Sequence, residues 1–346
     1  MLLLKIFVTG GCGFLGSHIC EYYQSRGDEV IAFDNLTKFE LSRTSYQVEG
    51  SRMYNASFLK ERGVQIIEGD IRDKESLMSA AQGCDSIAHT AAQPAMTIAI
   101  DHPDLDLTSN VNGTVNVLEA ARRYDVPVVS CSSIHVYGNG INQEIQEQED
   151  RFVRTPPAID ESYPIMTGQL SPLHASKRAG ELYVQAYTDT YGLKAATYRL
   201  SGMYGPRQFG GEDHGWVANF AIRTILGLPI KIFGTDKQVR DILYATDAVR
   251  AIDAFFQNPR PGIYNVGGGE KTAVSIHECL ELISEISGKR SDIHLEPARH
   301  GDLWYFISDI SKIRHKLGWE PVILPRAGIK NLIRWIESEK HLFMTS

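Results

Sequence analysis

The sequence predicts an α/β fold, a doubly wound parallel sheet followed by a smaller, mostly helical C-terminal part. Three observations carry that expectation. Short β-rich runs alternate with helical patterns from Lys5 to Arg199, the rhythm of strands joined by crossover helices. Several runs are apolar without alternation, as in Val30-Ile31-Ala32-Phe33, which is what a sheet covered by helices on both faces requires. The first run ends in a glycine-rich turn directly before a helical pattern.

In chain order, Lys5–Thr9, Glu29–Asp34, Val64–Glu68, Ser86–His89, Pro127–Ser132 and Lys194–Arg199 read as strands. The helices between them are Phe14–Ser25, Lys74–Ala81, Leu105–Tyr124 and Ser171–Tyr191. Two stretches, Asn35–Arg62 and Asn139–Leu170, interrupt the rhythm, and loops this long are usually functional or mobile. After Ser201 most of the order lies in helices at Trp216–Leu226, Asp247–Gln257, Ser275–Ser287 and Leu324–Lys340, with Ser275 and Glu278 forming a capping box. This division assigns residues 1–200 and 240–265 to a dinucleotide-binding domain, and 201–239 and 266–346 to a substrate-binding domain.

A chain of 346 residues buries a large core without staples. Its net charge of -7 argues against a nucleic-acid or anionic membrane surface, so anionic ligands fall to local arginines. The five cysteines show no metal or redox spacing, and no metal site is expected. A reducing cytoplasm fits them. Met1–Thr9 reads as a strand rather than a signal peptide, and no run approaches the roughly 18 apolar residues of a membrane span.

The turn Gly10-Gly11-Cys12-Gly13-Phe14-Leu15-Gly16 places glycines where a tight turn, a pyrophosphate and a helix all need close backbone approach. Free N–H groups at the following helix start face the anion. Asp34 closes the second strand about 20 residues on, where an acid meets the adenosine ribose, and its carboxylate favours NAD over NADP. Asn35 stands beside it.

These residues resemble the extended short-chain dehydrogenase/reductase family of nucleotide-sugar epimerases and dehydratases, built on the Rossmann fold. The resemblance spans nearly the whole chain. Gly69-Asp70-Ile71-Arg72-Asp73 is similar to the family's adenine-side motif, with Asp70 and Ile71 flanking the base. His89-Thr90-Ala91-Ala92-Gln93 resembles its strand-four motif, which sets Ala91 beside the cofactor, and Asn110-Val111-Asn112-Gly113-Thr114 its helix segment, with Asn110. Ser132-Ser133-Ile134-His135-Val136-Tyr137-Gly138 matches a motif whose second serine, here Ser133, touches the reacting sugar. Stretches around Ala95-Met96-Thr97, Ser201–Gly205, Arg207-Gln208-Phe209, Asp213–Val217 and Lys237–Asp241 look most like the CDP-tyvelose (CDP-paratose) 2-epimerase branch.

The resemblance implies an activity: a sugar carbinol is oxidised with NAD to a transient ketone, which is reduced again on its other face. The family's base is a tyrosine four residues before a lysine that binds the nicotinamide ribose, the lysine's charge favouring phenolate. Here the lysine is Lys177, and the tyrosine's place holds Leu173. Ser171 as N-cap and Pro172 in the first turn keep the register. His174, turned about 100° from Leu173 on the helix, and His135, two residues after Ser133, offer imidazoles as surrogate bases; the alternative is that both pack or contact ligand. A second departure is Gly202, where many relatives place an asparagine.

On the substrate side, the motif context makes Arg207, Arg240 and Arg299 clamps on a diphosphate, since guanidinium forks match phosphate oxygens. Met96 and Thr97 are expected to face the sugar, with Tyr204 in the same substrate-domain set, and Trp216 either stacks on the base or sits in the core. The leading expectation is an NAD-dependent epimerase acting on a nucleotide-diphosphate sugar. A 4,6-dehydratase or decarboxylase is the enzyme alternative, although Ile134 and His135 stand where dehydratases carry an Asp-Glu pair. A non-catalytic NAD- or sugar-nucleotide-binding protein is the alternative of another class. Family members often form homodimers through the helices that here are Leu105–Tyr124 and Ser171–Tyr191.

Overall fold

A computed structural model describes residues 3–37, 44, 46 and 53–344. In chain order it holds β1 (Lys5–Thr9), α1 (Phe14–Ser25), β2 (Glu29–Asp34), α2 (Tyr54–Glu61), β3 (Gln65–Glu68), α3 (Lys74–Ala80) and β4 (Ser86–His89). Then come α4 (Met96–Asp101), α5 (Pro103–Leu107), a π turn at Thr108–Gly113, α6 (Thr114–Tyr124), β5 (Val128–Ser133), a short hairpin of β6 (Gln146–Glu147) and β7 (Phe152–Val153), and α7 (Pro172–Tyr191). The rest comprises β8 (Ala195–Leu200), β9 (Gly202–Tyr204), α8 (Trp216–Leu226), β10 (Ile230–Phe233), β11 (Val239–Tyr244), α9 (Ala245–Gln257) and β12 (Gly262–Val266). It ends with β13 (Ala273–Ser275), α10 (Ile276–Ser287), β14 (Ile293–Glu296), β15 (Tyr305–Phe306), α11 (Ser311–Leu317) and α12 (Pro325–Ser338).

The main sheet is parallel throughout, in the order β12-β8-β5-β4-β1-β2-β3. Both faces are covered. Ile19 and Tyr23 of α1 join Ile252 and Phe255 of α9 in one core cluster, while Leu77, Leu118 and Val184 of α3, α6 and α7 form another. That double covering explains the unalternating strand sequences. A separate cluster joins Phe220 and Ile222 of α8, Ile283 of α10 and Leu332 and Ile336 of α12 under β11.

Five expected strands lie within a residue of their observed bounds, as does Glu29–Asp34, because a buried parallel strand is an apolar run bounded by turns. Other elements were not anticipated, α4, the β6–β7 hairpin and α11 among them. The stretch Asn35–Arg62, expected as an interruption, contains α2, whose N-cap is Met53 and whose first turn has no acid, so no start signal marks it. Residues 38–43, 45 and 47–52 of that stretch lie outside the described residues. The seventh strand, Gly262–Val266, was not anticipated. The helix expected at Leu105–Tyr124 begins at Pro103 and contains the π turn. In the smaller part, strands β9, β10, β11, β13, β14 and β15 stand among the helices; most have two to four residues, too few for periodicity to register.

Behind β5 and β8 a buried ion pair ties α7 to the sheet. Arg199 donates twice to Glu181, at 2.9 and 2.8 Å, and Ser132 Oγ donates to the same carboxylate at 2.8 Å. Both charged side chains are almost wholly buried. Removing one partner strands the other's charge. Glu181→Ala is therefore expected to destabilise the protein by about 3–5 kcal/mol, seen as a lower urea midpoint with an unchanged slope.

Candidate active site

A cleft of about 850 Å³ crosses the carboxyl ends of β1, β2, β4 and β5 and runs on to β11 and α8. Gly10, Gly13, Phe14, Leu15 and Gly16 line its floor. Two positions of this turn admit no side chain: Gly10 has φ +66°, and a Cβ there would meet the Ala91 backbone at 2.8 Å, while one on Gly11 would meet Ala32 at 2.6 Å. Gly13 is the N-cap of α1 and has no capping side chain, so first-turn N–H groups face the cleft. The Asp34 carboxylate is aimed by two backbone amides, Cys12 N–H at 2.9 Å and Leu36 N–H at 2.8 Å. A turn packed too closely for a Cβ at Gly10, Gly11 or Gly16, with an oriented carboxylate at its rim, fits the pyrophosphate and adenosine ribose of NAD.

Asn35, Asp70 and Ile71 line the same end. Asn35 donates to Asp70 at 3.1 Å, and Arg72 pairs with Asp70 at 2.6 Å; the Arg72 hydrogen bonds, opposed by burial, hold that carboxyl down at about 2. Ala91 lines the cleft, but Asn110 does not. Asn110 is a buried brace: its side chain accepts from Gln93 N–H at 2.8 Å and donates to Asp106 at 2.9 Å and Ser176 at 3.1 Å.

At the centre stand Ser133, Lys177, Leu173 and His135, all lining the cleft. Ser133 Oγ accepts from His135 N–H at 3.2 Å, which leaves its own hydrogen for a ligand. Lys177 Nζ donates to the Cys131 carbonyl at 3.3 Å; burial pushes its pKa down, with Cys131, Asp106 and Glu181 opposing. Leu173 is buried, one helical turn before Lys177, and presents only methyl groups where a phenol is expected. His174 does not line the cleft: it is fully buried, and its Nδ1 accepts from Ser171 N–H at 3.0 Å in the capping box of α7. Burial drives the pKa of His135 down to about 3 and that of His174 to about 4. At neutral pH both imidazoles are uncharged, far from the near-neutral titration expected of a base.

At the far end Met96, Trp216, Arg240 and Arg299 line the cleft; Thr97 and Tyr204 do not. Tyr204 is fully buried in the second core. Arg240 donates to the carbonyls of Val239, at 2.9 Å, and Leu303, and its guanidinium lies 3.9 Å from Asp302. Arg299 stacks over Phe233 at 3.6 Å and pairs with Asp213 at 3.3 Å. Arg207 borders the cleft, but its guanidinium is engaged by α1: it reaches Glu21 at 2.6 Å, His18 at 2.8 Å and Ser17 at 3.2 Å. That fork ties the loop after β9 to the first helix, while Arg240 and Arg299 stand on the cleft wall with carbonyl and carboxylate partners of their own. Sequence reading did not single out Gln238 and Asp302, a pair hydrogen-bonded at 2.9 Å on the cleft wall; Gln238 stands in the quoted stretch Lys237–Asp241, and that was the available signal.

The model of the NAD dependent epimerase/dehydratase family matches residues 6–267. A CDP-paratose 2-epimerase of Salmonella typhi is 33% identical over 97% of this chain and 100% of its own length. A UDP-glucose 4-epimerase of Mycolicibacterium smegmatis is 30% identical over 97% of this chain and 99% of its own. Among solved structures, the Thermus thermophilus UDP-glucose 4-epimerase in complex with NAD superposes with a TM-score of 0.79 at 32% identity, covering 96% of this chain and 99% of that one. The chain belongs to the NAD-dependent epimerase/dehydratase family. Asp34→Ala is expected to weaken NAD binding about 10- to 100-fold, read by calorimetric titration, since hydrogen bonds to a charged group are worth about 1.5–3 kcal/mol.

Proposed function

We propose that the chain is an NAD-dependent epimerase of a nucleotide-diphosphate sugar, of the CDP-sugar 2-epimerase kind, acting through a transient keto-sugar with Leu173 in place of the usual tyrosine. The observation that carries this is one continuous cleft holding the glycine cradle at one end, Ser133 and Lys177 at the centre, and Arg240 and Arg299 at the other. Support for the CDP-sugar comes from the likeness to the Salmonella typhi enzyme.

In this reading the glycine turn, Asp34, Asn35, Asp70 and Ile71 hold the cofactor, and Lys177 reaches its nicotinamide ribose. Bound NAD supplies the oxidant that makes the sugar ketone and then the reductant that restores the alcohol. Ser133 orients the reacting oxygen with its free O–H. Arg240 and Arg299 draw in the diphosphate, and Met96 and Trp216 wall the sugar and base. The carbinol proton needs an acceptor, which Leu173 cannot be; Lys177 takes it when its side chain is the free amine, a form that burial favours. The smaller part carries the sugar nucleotide and the main sheet the dinucleotide, with boundaries near 1–200 and 240–265 against 201–239 and 266–346.

A non-catalytic binding protein is the second reading, and Leu173 is what favours it. Incubation with CDP-, UDP-, dTDP- and GDP-sugars, followed by NMR of the products, separates the two. Inversion at one carbon supports the epimerase, loss of water or carbon dioxide supports a dehydratase or decarboxylase, and tight binding without turnover supports the binder. Leu173→Tyr is expected to raise the epimerisation rate at least about 10-fold, since a positioned acid/base is worth roughly 10²–10⁴.

The protein is read as a cytoplasmic homodimer that pairs through α6 and α7. Leu182 and Tyr183 of α7 are 50% and 44% exposed, an apolar pair open to a second copy. Leu182→Glu is expected to shift light-scattering mass from dimer to monomer.

A further inference from the structure

We infer that Ser171, His174 and His135 form a chain that fixes the imidazole tautomers, leaving His135 as a neutral hydrogen-bond donor to the reacting sugar oxygen and not as its base. The chain begins at the backbone. Ser171 N–H can only donate, so His174 Nδ1, 3.0 Å away, is an acceptor and the ring hydrogen sits on Nε2. The Ser171 hydroxyl faces the same nitrogen at 2.8 Å.

His174 Nε2 is buried without a hydrogen-bond partner, and so is His135 Nδ1. The two rings meet edge to face, 5.7 Å between centroids and 84° between planes. A buried donor without a partner is costly, and the unpartnered acceptor position on the neighbouring ring satisfies it, directly after a small ring rotation or through one water. In the direct arrangement His135 Nδ1 must accept, and we assign the same direction to a bridging water, which accepts from His174 and donates to His135. Its hydrogen is then on Nε2, the ring nitrogen that is not among the buried unpartnered atoms, and His135 lines the cleft two residues after Ser133.

The surroundings keep both rings uncharged. His135 faces His174 and Arg240, and His174 faces His300, so a proton on either imidazole meets another cation or potential cation as well as a dry pocket. A neutral Nε2–H discriminates between substrate states. A ketone oxygen only accepts hydrogen bonds, whereas a hydroxyl also donates, so a fixed donor favours the oxidised sugar. A neutral imidazole polarising a carbonyl in this way has precedent in isomerase chemistry. No proton passes through His135; the carbinol proton takes the other route. The ligand in this inference rests on the epimerase reading, but the tautomers do not.

The test is the two-bond ¹H–¹⁵N spectrum of the full-length protein labelled with ¹⁵N-histidine, without ligand, from about pH 6 to 9. Signals are assigned by their loss in His135→Gln and His174→Phe. The expected result is that both residues are neutral Nε2–H tautomers across the range. In His174→Phe, which keeps a ring but removes the donor, His135 should become a tautomer mixture. An Nδ1–H tautomer at His135, or an imidazolium there above about pH 6, overturns the inference. With an active sugar nucleotide in hand, His135→Gln, which keeps an N–H, should retain at least about 10-fold more kcat than His135→Ala, with KM nearly equal. Absence of any turnover would remove the epimerase reading while leaving the spectra to decide the tautomers.

Discussion

The seat of α1 on the sheet is the contact on which the rest of the structure depends. At Gly10, Gly11 and Gly16 the space a Cβ would take is already filled by backbone or by Ala32. The helix start is thereby brought against the strand ends, where its unpaired N–H groups and the Asp34 carboxylate face one space. The same helix then reaches outward. Ser17, His18 and Glu21 hold Arg207, whose guanidinium also lies over Phe58 of α2 at 4.2 Å, so α1 joins the dinucleotide cradle to the loop that leads into the second core.

Behind the cleft, polar side chains hold polar side chains. Glu181 binds Arg199 and Ser132; Arg199 also donates to the Tyr137 hydroxyl at 3.0 Å, and that hydroxyl donates to Asn265 at 2.8 Å. Beside it, Gln93, Asn110, Asp106 and Ser176 form a second knot around the chain that follows β4. Such networks are costly when half satisfied and rigid when complete. They stand next to Ser133 and Lys177, two side chains whose direction matters, and they fix the strand ends and helix turn that carry them.

The dinucleotide half was readable because its signals are local. Five residues of strand, three spaced glycines and an acid at the end of the next strand are all contained in a short stretch, and each has one physical reason to be there. The departure at Leu173 was equally visible, since helix register is set by Ser171 and Pro172 two residues away. What escaped was long-range. Arg207 looks like a free cation in a motif, but its partners lie in the first helix, far off in sequence. His174 looks like a substitute base until its ring is seen bound to its own N-cap. Asn110 was placed at the cofactor and lies instead one layer behind, where its four-way bonding could be known only after folding.

The π turn at Thr108–Gly113 has a consequence for the tolerance of this chain to insertion and deletion. A π turn is one residue more than an α path requires. The extra residue is taken up inside that one turn, so α6 keeps its register on α5, and Asn110 within the turn is presented to Gln93. Losing it would restore regular winding and take Asn110 from that position, whereas a residue lost from α6 itself would rotate everything beyond it by about 100°. The two halves of one continuous helix therefore answer to length by different rules.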